Sequence, residues 1–487
     1  MSAVKRAIAK RGAAGARPKR GDQRGVALVM TLGAITVLTV FLTELQDQTA
    51  AELSAALSER DALRAEYYAR SAVNLSRLLI AIEPEIRKSI PFLGGKIPQI
   101  PVWEFTDLVL GPFNDQLGAQ SFNTMINADA TTGKNLGLTG GGHYELKIID
   151  EDSKINVNVA AKGLVRTSDR LGSQLLGLFA PQSYNPMFEG RDADNQFSDR
   201  QTICSAMVDW ADDDEDLYAC DPRGTSTSAS KGSEDNFYQT IGLPYRRKNS
   251  AYDSLDELRL VRGVGDDFWS TFVDPDPSDP HKRVLTVWGQ DKININTANP
   301  VTLLAITCAN APESELCNDP IQLAGFLQGV SLVRSFTQGA PIFQSANDFV
   351  NLMQGTGPMA PLLATLGVKP VKFKSVPEVR AMAGVSSKMF SIYAEGVVPG
   401  FKRTTRVRIH AVVDFRSAGE IGDAFGMITG QSTGSPPPVN GAAGRPSTAG
   451  RSGAANSNQA VAQATPEQIA AIMAANPAGS IVYWRVE

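Results

Sequence analysis

The feature that most constrains this chain is an uncharged stretch near its start. Residues 25–43 read GVALVMTLGAITVLTVFLT, and no charge appears until Glu44. As a helix these nineteen residues would extend roughly 28 Å, about the thickness of a bilayer core. Residues 1–25 hold eight basic side chains (Lys5, Arg6, Lys10, Arg11, Arg17, Lys19, Arg20, Arg24) against one acid, Asp22. The remainder carries 39 Lys and Arg against 50 Asp and Glu, so an acidic body follows a basic tag. A basic flank stays cytoplasmic, which places the C-terminal bulk on the far side of the membrane. No A-x-A site closes the run, so it reads as a retained anchor and not as an ordinary signal peptide.

Beyond Glu44 the helical pattern continues without Gly or Pro as far as Pro84, with Leu45, Leu53, Ala56, Leu63, Tyr67, Leu75 and Leu78 as an irregular apolar stripe. A continuous helix over residues 26–83 would be roughly 87 Å long. Its first half suits lipid and its second half suits a protein surface.

A chain of 487 residues calls for two or three domains. Residues 144–151, 389–398, 406–415 and 481–486 alternate like half-buried strands, and we expect one antiparallel sheet packed on the long helix. Residues 155–385 have helical texture broken by Gly, Pro and Asn, which implies an insertion whose ends both return to the sheet. The expected class is therefore α+β, with a large all-α insert. KINVNVA (154–160) and KININTA (292–298) echo each other. Each reads as a strand end leading into a capped helix, with Thr297 or Asn299 as the cap of the second, and the repeat is too small for a solenoid. In 430–465, 23 of 36 residues are Gly, Ala, Ser or Pro, a composition that cannot pack a core.

Three histidines far apart (His143, His281, His410) disfavour a histidine-centred metal or catalytic site. No GxSxG, P-loop or HExxH pattern occurs, so no enzyme class is indicated. LRLVRGVGDDFW, with Gly263 and Gly265, is similar to a helix-hairpin-helix segment. Arg259 and Arg262 are too few for phosphate binding by an acidic body, so the hairpin reads as structural and nucleic acid is not an expected partner.

The strongest chemical feature is Asp209–Asp221, DWADDDEDLYACD, with seven acids in thirteen residues, followed by Glu234 and Asp235. So many carboxylates repel unless solvated or neutralised. Hard oxygen donors favour Ca2+, although the spacing does not match an EF-hand loop; a solvated acidic loop explains the run equally well. The four cysteines fall in two local pairs without CxxC spacing, Cys204/Cys220 and Cys308/Cys317. Outside the cytoplasm either pair could close a small loop worth roughly 2–3 kcal/mol. The first would staple the base of the acidic run.

The basic leader ending in Gly25, the apolar run and the long amphipathic helix together resemble a type IV pilin-like protein. That resemblance implies a prepilin peptidase cut between Gly25 and Val26, with methylation of the new N-terminus. It also implies a glutamate at the fifth mature position, where this chain has Met30. A subunit without that carboxylate cannot pair with the amine of a subunit ahead of it, which suits a filament tip. The ordered motifs GVALVM, RAEYYARSAVNLSRLLI, KINVNVA, DWADDDED with GSEDNFY, LDELRLVRGVGDDFW, KININTA and WRVE resemble the general secretion pathway protein K family of minor pseudopilins.

The family resemblance implies a pseudopilin body with an insert of two SAM-like subdomains. It implies Ca2+ on the acidic insert, for which Asp212, Asp214, Asp216, Glu234 and Asp235 are the positions. The partners it implies are the minor pseudopilins I and J, the major pseudopilin below them, the inner-membrane assembly platform, the prepilin peptidase, and the secretin with its secreted substrates. The expected organisation is a leader (1–25), the long helix (26–83), the first part of the body (84–154), the insert (155–385), more sheet (386–429), a flexible loop (430–465) and a final helix and strand (466–487). A type IV pilus tip subunit shares the leader and helix and is the alternative; a membrane-anchored DNA-binding protein is a more distant one.

Overall fold

The computed structural model describes residues 23–89, 98–114, 118, 120, 123–124, 141–192, 195–221, 230–233, 236–337, 339–400, 403–419 and 476–487. Most of the leader, the 430–465 loop and the expected last helix lie outside the described residues. The chain divides into two compact units, Met1–Leu63 and Arg64–Glu487.

The first unit is helical throughout its described length, as part of α1 (Gln23–Ser89). Its apolar side chains are exposed, Leu28 at 68% and Phe41 at 73%. The apolar window reaches a mean hydropathy of 2.3, so one helix is long and apolar enough to cross a membrane. Its threonines do not leave hydroxyls unpaired: Thr31 donates to the Leu28 carbonyl at 2.9 Å, and Thr36 to that of Gly33 at 2.9 Å. Such back-bonding is what lets a hydroxyl enter lipid.

In the second unit the remainder of α1 packs on a sheet. The helix was expected to end at Glu83 and instead passes Pro84 to Ser89. A proline within a helix removes one donor from the ladder, and here it does so close to the helix end. Strands β1 (His143–Asp150), β2 (Met389–Pro399), β3 (Thr404–Asp414) and β4 (Ser480–Val486) lie side by side in that order, all antiparallel. One face sets Ile148, Phe390, Ile392, Ile409 and Val413 against Ala69, Ala72, Val73 and Ile80 of the helix. The approach is very close at Gly396, where a Cβ would overlap the Ala65 carbonyl oxygen. The opposite face carries Tyr393 stacked on His410 at 4.1 Å, then Tyr483, then Trp288.

Between β1 and β2 the chain builds a helical block. Its helices include α2 (Val165–Phe179), α3 (Arg200–Asp209), α4 (Pro300–Asn310), α5 (Pro320–Thr337) and α6 (Ala346–Met353). Leu171, Leu175, Phe179, Ile203, Phe268, Leu304 and Phe349 belong to a core separate from that beneath the sheet. The block leaves and rejoins the sheet at one place, because Asp150 faces Phe390 across the ladder.

Three successive carboxylates close that junction. Asp150 accepts from the Ser387 and Thr297 hydroxyls. Asp152 accepts from the Lys388 amide at 2.6 Å and from the Gln290 side chain at 2.7 Å. Glu151 pairs with Lys154 at 3.1 Å, both side chains buried. Burial, and then the charge of Asp152, push the Asp150 carboxyl up to about 7.

The two Asn-rich echoes occupy equivalent places. Asn156 accepts from the Asn158 amide at 2.9 Å, and Asn294 from the Asn296 amide at 3.1 Å. The Asn158 side chain then accepts from the Tyr252 amide at 2.6 Å, and that of Asn296 from the Phe343 amide at 2.8 Å. Ile155 pairs in parallel with Leu285, and Ile293 with Ala383. The echo therefore marks a duplicated scaffold, more than a pair of capped strand ends. Of the two proposed caps, Asn299 takes the role, accepting from the Thr302 amide at 2.7 Å, while Thr297 turns to Asp150.

Candidate functional site

The acidic run begins at the end of α3. Asp199 caps that helix at its N-terminus, accepting from the Thr202 amide at 2.8 Å. At the other end the Asp209 carboxylate accepts from the Tyr218 amide at 2.8 Å and so folds the loop back on the helix. Cys204, one turn earlier in α3, lies against Cys220, their Cα atoms 6.0 Å apart, and Cys308 against Cys317, at 5.8 Å, both separations that a disulfide spans. A bond within the first pair would tie both ends of the run together.

The run is not uniform. Asp213, Asp214, Glu215 and Asp216 are exposed, whereas Asp209 and Asp212 are only 4% and 6% exposed. Burial pushes Asp209 up to about 8 despite the Tyr218 amide, with repulsion from Asp212 adding to it. Burial and the Asp214 charge push Asp212 up to about 7. Both carboxyls are thus hard to ionise as the loop stands. Of the five expected cation ligands, Asp212, Asp214 and Asp216 share this loop, and Asp214 Oδ1 is already used by the Asp216 amide at 2.8 Å. Glu234 and Asp235 lie outside the described residues. Among the described residues no three His, Cys, Asp or Glu side chains are grouped to hold a metal.

Sequence reasoning missed the segment that meets this loop. Arg247 donates to the Asp214 carbonyl at 3.1 Å, and the Asn249 amide reaches the same oxygen at 3.3 Å. Asn249 adopts a left-handed backbone, φ 51°. Two oxygens here, Asp212 Oδ1 and Asn249 Oδ1, are buried without a hydrogen-bond partner. Orphaned carboxylate and amide oxygens are the donor type a hard cation takes, so the residues present fit Ca2+ in chemistry. A cavity of about 410 Å3 lies beside the run, lined by Asp209, Trp210, Tyr218, Tyr238, Arg247 and Arg262; Asp212 and Asn249 are not part of its lining.

The glycine hairpin lies next to this region and faces inward. A Cβ on Gly263, φ 79°, would press on Ile203 and Ser198. Arg259 is held over Trp269 at 3.9 Å and by Asp266 at 3.0 Å. Arg262 lies over Phe237 at 4.3 Å. The hairpin's two arginines are therefore spent on internal contacts.

Comparison with known proteins places a family resemblance on this segment. Residues 192–271 match the family model described as Type II secretion system (T2SS), protein K. No curated protein matches the chain. Two solved chains match in structure. One is from the crystal structure of the GspK–GspI–GspJ complex of the enterotoxigenic Escherichia coli type 2 secretion system, with a TM-score of 0.39 at 14% identity, covering 76% of this chain and 94% of that one. The segment that holds the acidic loop and the glycine hairpin is thus the one whose sequence matches protein K of the type II secretion system.

Proposed function

We propose that this chain is a minor pseudopilin of a type II secretion system, acting at the tip of the pseudopilus. The observation that carries this reading is the match to protein K of residues 192–271, a range that includes the acidic loop. The apolar helix supports it as a single-pass inner-membrane anchor, with the acidic body in the periplasm. In this reading the prepilin peptidase cuts between Gly25 and Val26, and the mature amine is methylated.

The mechanism is mechanical. The helical block adds a second core beside the sheet, a bulk that leaves no room for a subunit stacked above it. Met30 offers no carboxylate to a subunit ahead. Both features favour the first position in the filament, beside two other minor pseudopilins, of types I and J. Major pseudopilins added below by the inner-membrane platform would push folded periplasmic proteins toward the secretin. Ca2+ on the acidic loop would neutralise its buried carboxylates and hold the loop on α3, with Asp212 and Asn249 supplying the unpaired oxygens; Asp214, Asp216, Glu234 and Asp235 complete the proposed set. Both cysteine pairs are oxidised in this reading, as a periplasmic location favours.

The test is a chromosomal deletion with complementation, scored for release of secreted proteins into the medium. Loss of release, with twitching and adhesion intact, is the expected result. Intact release with lost twitching would assign the chain to a type IV pilus instead. Mass spectrometry of the membrane-extracted protein should find Val26 at the N-terminus.

A further inference from the structure

The acidic loop meets a cation supplied by the chain itself. Asp209 and Asp212 are buried carboxylates, and the positive group whose charge acts on both is Arg247. Its guanidinium is anchored on the same loop through the Asp214 carbonyl, 3.1 Å away. Of the neighbouring bases, Lys248 pairs with Asp253 at 2.7 Å and Glu257 at 3.0 Å, and Arg262 lies over Phe237.

The charge of Arg247 offsets only part of the cost of burying these carboxyls, which still stand at about 8 and about 7. Asp212 Oδ1 stays buried without a hydrogen-bond partner beside this arginine, and so does Asn249 Oδ1 two residues along the same segment. A guanidinium donates in one plane with a fixed fork, so it cannot serve oxygens arranged around a point. A divalent ion that takes six to eight oxygens in irregular geometry can.

We propose that Arg247 is the built-in counter-ion of the acidic loop, and that Ca2+ binds by displacing it. The inference rests on the calcium reading above and goes beyond it, because it names a residue that opposes binding. Apparent affinity is then set by competition: the ion must displace a tethered guanidinium, which offsets part of the loop's charge when calcium is scarce. The segment that carries Arg247 also carries Tyr252, whose amide is held by Asn158 at 2.6 Å, so displacement acts on a strap joined to the first repeat.

The test is calorimetric titration of Ca2+ into the full-length protein in detergent, after removal of divalent ions by chelation. Wild type, Arg247→Met, Arg247→Gln and Asp212→Asn are compared. Removal of Arg247 should tighten binding about tenfold or more, equivalent to about 1.4 kcal/mol. Asp212→Asn should weaken it. If Arg247→Met does not fold, Arg247→Gln carries the same comparison. Unchanged or weaker binding in the arginine variants overturns the competition while leaving the calcium reading intact. Absence of binding in wild type and variants alike removes the calcium reading, and the competition with it.

Discussion

At the scale of single residues, the junction between block and sheet stands out because it buries charge. Asp150 is enclosed, faces the charge of Asp152, and is held by the Ser387 and Thr297 hydroxyls, with Glu151 and Lys154 close by. Its folded pKa of about 7 lies above the ordinary carboxylate value. The folded state therefore keeps a proton that the unfolded state releases, so this group's contribution to stability falls as pH rises through that interval. Asp152 is pushed the same way by burial. His410 acts oppositely, since burial lowers its pKa to about 4 and its contribution is lost as pH falls below the usual histidine range. The comparison that isolates Asp150 is wild type against Asp150→Asn. In urea unfolding of the full-length protein, the stability advantage of wild type should shrink steadily from pH 4.5 to pH 7 and level off above roughly pH 8. An advantage that grows with pH would refute the assignment.

At the scale of elements, the close approach of α1 to the sheet depends on small residues. Ala65, Ala69 and Ala72 are fully buried, and Gly396 of β2 lies against the helix backbone. Gly396→Ala forces apart two surfaces that meet backbone to backbone. Overpacking of this kind costs about 1–3 kcal/mol, and here the obstacle is a carbonyl and not a flexible side chain. The variant should unfold at lower urea than wild type by at least that margin; a neutral result would mean that the helix shifts freely along the sheet. The four strands were legible in the sequence because alternation survives where one face is buried and the other less so. The two-residue parallel bridges were not. Ile155 finds Leu285, and Ile293 finds Ala383, across distances in sequence that no local pattern spans. The acidic loop divides the same way. Its charge was visible as a run, but burial of Asp209 and Asp212 while Asp213–Asp216 stay exposed depends on how α3 ends. Arg247 and Asn249 arrive from a segment more than thirty residues downstream.

At the scale of the whole molecule, the described body of residues 64–487 has two large cores that do not share members, with a small third cluster of Ala65, Tyr68 and Val398. Every residue of the larger core falls between Ile155 and Ala383, and every residue of the core beneath the sheet falls outside those limits. The block meets the sheet body at the carboxylate junction, at the Trp288–Tyr483 contact, 5.9 Å between ring centres, and where Lys147 donates to the Ser278 carbonyl at 2.9 Å. Within the block, α2 and α4 approach so closely that a Cβ on Gly177 would overlap the Ala305 carbonyl, which joins the two repeats into one body. An insert with its own core, and with adjacent ends, should fold without its host. A fragment of residues 151–388 is expected to be monomeric, helical by circular dichroism and cooperative in thermal unfolding. Reduction of its two disulfides should lower its stability by roughly 3 kcal/mol for each loop closed. The buried Trp210 should report the same transition by fluorescence as the backbone does. If the fragment instead melts gradually, or the two probes disagree, the block requires the sheet to fold, and the junction carboxylates are part of its core and not a seam between two bodies.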